Sequence, residues 1–232
     1  MKLSDLGRAL ARFLGDRKRE DTMPNIQDYV LWRGDLPLER VPLCDVDALL
    51  LSYLSYMPYD NIVGDAFDGG ISLRDAAQKL LEVNEREKTP LAYNVKEDRK
   101  LLAALMESAR FRDIRLVGYV NKVDPEQEEQ FAAVTYLLGE GHAFVAFRGT
   151  DNTVVGWKED FRLAFRKPLA SQEMSSVYLN QVGCKLPGAF MVCGHSKGGN
   201  LAAYAATWAE TGVQRRITDI YSLDGPGFLP EV

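Results

Sequence analysis

The chain has 232 residues, 46% of them apolar and 26% charged, a balance ordinary for a soluble protein with one sizeable core. Its net charge of −5 argues against a nucleic-acid binder, which carries a basic surplus. Three cysteines, Cys44, Cys184 and Cys193, form no CxxC pair; so sparse a set fits a reducing compartment, and the cytoplasm is the expected location.

No apolar run reaches membrane-spanning length. The N-terminus does not read as a secretion signal, because Arg8 and Arg12 interrupt its apolar stretch. Leu3, Leu6, Leu10, Phe13 and Leu14 recur at helical spacing among Arg8, Arg12, Arg17, Lys18 and Arg19. Residues 1–22 therefore form a basic amphipathic segment. It would suit a membrane surface, but a helix packed on the domain or a loose tail is preferred, since any surface helix shows such periodicity.

Residues 21–70 are rich in Pro, Gly and Asp, with one apolar helix over 45–57. Ser72 opens a second helix, with Asp75 in a capping position and Leu73, Ala76, Ala77, Leu80 and Leu81 on its apolar side. A third covers 96–111, with Leu101, Leu102, Leu105 and Ala109 on one stripe. The period then changes. Residues 114–122, 130–138 and 142–150 read as strands, the last two joined by the glycine-flanked turn 139–141. Strands and helices alternate from there: helices over 157–165 and 171–182, a buried strand over 189–193, a helix over 201–210 closed by Gly212, and a strand over 217–223. A hairpin followed by βαβ units predicts an α/β fold, a mostly parallel sheet with helices on both faces, in one domain over 1–232 whose N-terminal helices pack on the sheet.

Gly194-His195-Ser196-Lys197-Gly198 has the form G-x-S-x-G, following the apolar AFMVC and preceding the helical NLAAYAATWAE. A serine on so sharp a strand-to-helix turn has a strained backbone, and the residues two before and two after it crowd each other, which requires glycine at both. The helix N-terminus behind it favours a developing negative charge. Gly199 adds closeness between helix and sheet. Upstream, FRGTDNTVVGWKEDF leaves its strand at Arg148 and turns at Gly149-Thr150. In hydrolases of this architecture, an amide from such a loop completes an oxyanion hole with the amide just after the nucleophile, and Thr150 and Lys197 fit those roles. Taken alone, the loop would equally be a polar turn capping a strand.

FRGT followed by a Trp and an Asp resembles the class 3, fungal-type lipases. Together, FRGTDNTVVGWKEDF, GHSKGGNLAAYAA and YSLDGPGF resemble more closely a bacterial family of α/β-hydrolases related to those lipases, and the resemblance extends upstream to NIQDYVLWRGDLP and VDALLLSYLSYMPYD. It implies an α/β-hydrolase fold, Ser196 as nucleophile, and Thr150 with Lys197 as oxyanion donors. It implies no particular substrate.

The sequence departs from that pattern in its base. It has two histidines. His142 begins the strand that ends near Gly149, about 23 Å from the sheet edge where Ser196 belongs, at roughly 3.3 Å per residue. His195 neighbours Ser196 on the tight turn and should face inward with one hydrogen bond. In this fold the order is Ser, then acid, then His, so the C-terminal part of the fold is expected to lie beyond Val232. Asp224 follows the strand beside the nucleophile strand and is either the acid or a turn residue holding Gly225-Pro226-Gly227; the turn reading is preferred. Lys197 is ranked low as a base, its side chain expected toward the pocket or solvent. Asp151, beside Thr150, would oppose an oxyanion if ionised and close. Trp157 and Asp160 read as structural, and Cys193 as core. No spacing suits a metal or a phosphate-binding loop, so no cofactor is expected.

Two functions follow. One is a serine hydrolase acting on a small-molecule acyl ester or lipid. The other is an inactive α/β-hydrolase-like binding module without a base.

Overall fold

The computed structural model describes residues 24–124, 129–139, 141–150 and 169–228. Two predicted features, the segment 1–22 and the helix over 157–165, lie outside them, as do Asp151, Trp157 and Asp160.

The first helix, α1 (Ile26–Arg33), was not foreseen. The signal for it is NIQD. The Asn25 side chain accepts from the Gln27 and Asp28 amides at 2.8 and 3.3 Å, and the Asp28 carboxylate accepts the Asn25 amide at 2.9 Å. Only Val30 is buried there, so the apolar stripe that usually reveals a helix is missing. Next come α2 (Asp45–Leu54), the two-residue strand β1 (Ile71–Ser72), α3 (Leu73–Glu87) and α4 (Val95–Glu107). Ser72 caps α3 as expected, its hydroxyl accepting the Asp75 amide at 3.0 Å.

Strands β2 (Arg115–Asp124), β3 (Glu129–Gly139), β4 (His142–Phe147), β5 (Ala189–His195) and β6 (Ile217–Leu223) complete one sheet in the order β1-β2-β3-β4-β5-β6. β1 to β4 pair antiparallel, while β4, β5 and β6 are parallel. The sheet is thus mixed, with a larger antiparallel part than the sequence suggested. The hairpin of β3 and β4 and the meander before it supply that part, and the crossover helices α5 (Ala170–Lys185) and α6 (Lys197–Trp208) supply the parallel part. Gly212 does not close α6. It lies inside a separate turn, α7 (Thr211–Gln214), because the chain is already extended at Ala209.

The two faces of the sheet are covered separately. Phe131, Ala133, Val145, Phe147, Phe190 and Val192 point to a layer formed with α5 and α6. Their neighbours Val134, Tyr136, Phe144, Ala146 and Cys193 point to the layer of α1 to α4. Burial on both faces explains the near-continuous apolar runs of β3 to β5. The parallel pairing of β4 with β5 brings their carboxyl ends to the same level.

Candidate functional site

β4 and β5 run parallel, with Phe147 paired to Gly194, so both strands release their chains at the same level. β5 turns at Ser196 and becomes α6 at the next residue. Ser196 takes φ 55° and ψ −126°, a conformation that L residues rarely adopt. The glycine requirement is steric on both sides. A Cβ on Gly194 would strike the Gly198 carbonyl, and one on Gly198 would strike the carbonyl of Phe147 at the end of β4. Gly199 packs against the sheet as expected, with space for its Cβ limited by the Gly194 oxygen at 3.0 Å.

The loop Arg148 to Thr150 lies against this elbow: a Cβ on Gly198 would be 3.0 Å from the Gly149 nitrogen. The loop is anchored from below. The Arg148 amide donates to the Ala132 carbonyl at 2.9 Å, and its buried guanidinium donates to Asn121 at 3.0 Å. Asn121 is held in turn by the Asp60 carboxylate, 3.1 Å from its amide nitrogen. Gly149 has room for no side chain, since a Cβ there would strike the Tyr56 hydroxyl and the His195 carbonyl.

A half-buried serine on a glycine-flanked strand-to-helix turn at the carboxyl ends of parallel strands fits the α/β-hydrolase-like fold of the sheet and helices. The Mbeg1-like family profile matches residues 105–232, more than half of the chain. The chain belongs to the Mbeg1-like family. The matched segment begins in α4 and takes in β2 to β6, the loop 148–150 and the elbow, leaving α1 to α3 outside it. Among solved structures, a crystal structure of M37 lipase is similar at 16% identity and a TM-score of 0.38, covering 77% of this chain and 58% of that one. The chain thus spans little more than half the length of that lipase. No curated protein matches it.

Within this Mbeg1-like chain the sequence-predicted residues fall as follows. Ser196 heads α6, with Lys197 at the first helical position, where backbone amides have no partner within the helix. Thr150 ends the described loop and is half-buried. The Lys197 side chain overturns its expectation. It is 1% exposed and donates to the Gln130 carbonyl at 2.8 Å, the long side chain reaching inward from the helix start to β3. Asp224 is in register beside Ser196: Leu223 pairs with His195, and the Ser196 amide donates to the Leu223 carbonyl at 2.8 Å. It is exposed and left-handed, at φ 52°. His142 pairs with Ala189 at the far end of β5. His195 faces inward, its Nδ1 3.0 Å from the Tyr56 hydroxyl. Cys193 is wholly buried, and burial pushes its thiol up to about 12, which leaves it inert. Among the described residues no cluster of three or more His, Cys, Asp or Glu is gathered as for a metal ion.

Several supporting residues escaped the sequence. Asn200 is 2% exposed and bonds on both sides, accepting from Gln172 at 2.8 Å and donating to the Pro226 carbonyl at 3.1 Å. Gln172 also caps α5 by accepting the Leu169 amide at 3.0 Å. Tyr56, Asp60 and Asn121 were equally silent. A polar residue on a buried face has the same letter as one in water, and only Asn200, next to the elbow, carried a positional hint.

Proposed function

We propose that this protein is a serine hydrolase of the esterase or lipase type, acting on a small-molecule acyl ester or lipid. The observation that carries the reading is the strained Ser196 at the glycine-flanked elbow, with the loop of Thr150 packed against it. In this reading the Ser196 hydroxyl attacks the ester carbonyl. The amides of Thr150 and Lys197 receive the negative charge of the tetrahedral intermediate; the serine proton passes, through a general base other than His142 or His195, to the alcohol, which departs to leave an acyl-serine that water hydrolyses. Asp224 is the acid in one version of this scheme and a turn residue in the other; its exposure and left-handed backbone favour the turn.

Neither histidine of these residues is in position to take the serine proton: His142 is at the opposite end of the strands, and His195 is engaged by Tyr56. That observation favours a second reading, a binding module that retains the elbow without a base. The test is labelling with a fluorophosphonate probe, mapped by peptide mass to Ser196, together with hydrolysis of short-chain nitrophenyl esters. Both use the longest reading frame that carries this sequence. We expect an adduct on Ser196 and turnover that falls at least ~10³-fold in Ser196→Ala. Turnover that survives that substitution sinks the hydrolase reading; a folded protein that neither labels nor turns over ester supports the binding module.

A further inference from the structure

We propose that Tyr56 is a positioning residue of this site, its hydroxyl fixing the gap between the serine elbow and the loop that carries Thr150. The inference rests on the hydrolase reading above. Tyr56 follows α2, outside the segment matched by the family, yet its side chain reaches the elbow and the loop beside it. Its ring is 7% exposed and packs on Tyr93 and His195, with centroids 5.1 and 6.1 Å away. Its hydroxyl lies 3.0 Å from His195 Nδ1 and 3.4 Å from the His195 carbonyl, and it fills the space where Gly149 would carry a Cβ.

The residues touched are those that immediately precede the reacting groups. Gly149 shares a peptide unit with the Thr150 amide, so whatever fixes Gly149 aims that N–H. The His195 carbonyl belongs to the same peptide unit as the Ser196 amide, which is tied at its other end to Leu223. That unit is therefore held from both sides, by β6 and by the phenol. A strained residue persists only where its surroundings over-determine it, and the unit before Ser196 is so determined. Burial, then the neighbouring Tyr93 phenol, push Tyr56 far above the usual tyrosine range, so it remains a neutral hydroxyl at working pH.

The experiment is Tyr56→Phe in the full-length protein, which keeps the ring and removes one oxygen. We expect kcat for nitrophenyl ester hydrolysis to fall by roughly 10- to 100-fold with KM within about twofold, the signature of misplaced reacting groups. The His195 Nδ1 resonance should shift as its partner is lost. Gly149→Ala should lower kcat by a smaller factor in the Tyr56→Phe background than in wild type, because one of its two obstructions is gone. Unchanged kcat in Tyr56→Phe, with Ser196→Ala dead, overturns the proposal and leaves the hydrolase reading standing. A rise in KM at constant kcat also overturns it. Hydrolysis that survives Ser196→Ala, or its absence in a folded wild type, overturns both.

Discussion

Ser196 holds a backbone conformation that costs an L residue on the order of 1–3 kcal/mol and that glycine adopts freely. Ser196→Gly should therefore raise stability even after glycine's freer unfolded chain takes back roughly 0.5–1 kcal/mol. A net gain of about 1 kcal/mol corresponds to a Tm rise of about 2–4 °C in a chain of this size. Ser196→Ala keeps the strain and should melt close to wild type. Calorimetry on the three proteins checks this, and equal melting of the glycine and alanine variants would show that no strain is stored. Gly198→Ala should go the other way, losing about 1–3 kcal/mol or more, since its new methyl meets the backbone of Phe147, which has little freedom to retreat.

Between elements, the Gln172–Asn200 pair joins α5, α6 and the Gly225-Pro226-Gly227 turn. Both amides are buried, so truncating either leaves polar atoms without partners. Asn200→Ala should cost about 1–3 kcal/mol and speed amide exchange over residues 225–228 above all, because the carbonyl that anchors the turn loses its donor. Exchange measured by mass spectrometry reads this directly; an unchanged rate there would mean that the turn is held by its own geometry. The elements themselves were largely legible. Residues 217–223 form a strand as read, and the strand over 189–193 extends only to His195, where the elbow begins. The helix α1 was hidden because it buries one residue, and Gly212 misled because a glycine after a helix marks a cap only when the chain turns left-handed there.

At the scale of the molecule, the helical layer is locked by an ion pair with no exposure on either side chain, Arg110 with Asp47. Arg110 Nε donates to Asp47 at 2.8 Å, and the guanidinium also donates to the carbonyls of Leu36, Val41 and Pro42. Tyr29 donates to the same carboxylate at 2.8 Å. Burial by itself would raise the Asp47 carboxyl, but the hydrogen bonds from Arg110, the Cys44 amide and Tyr29 outweigh it and hold the group below the usual range. Removing one partner should cost about 3–5 kcal/mol at neutral pH. A depressed carboxyl contributes stability above its unfolded value and loses it as pH falls through the folded one. The gap in urea midpoint between wild type and Asp47→Asn should therefore be full at pH 7 and shrink below about pH 4. A gap that stays constant down to pH 2 would mean that the carboxylate is not the group being lost.

The sequence by itself determined the elbow, the helix behind it and the strand that feeds it, because those depend on neighbours within a few residues: apolar runs, glycines at fixed spacing, one serine. It determined equally that His142 would be remote, since a strand has a known rise. Only the tertiary structure decided that Lys197 turns inward to Gln130, that Arg148 is held through Asn121 by Asp60, and that Tyr56 meets His195 across 139 positions of chain. Each of these is a contact between groups far apart in sequence, fixed by how the two faces of the sheet are covered, and no local pattern encodes which buried polar atoms will meet.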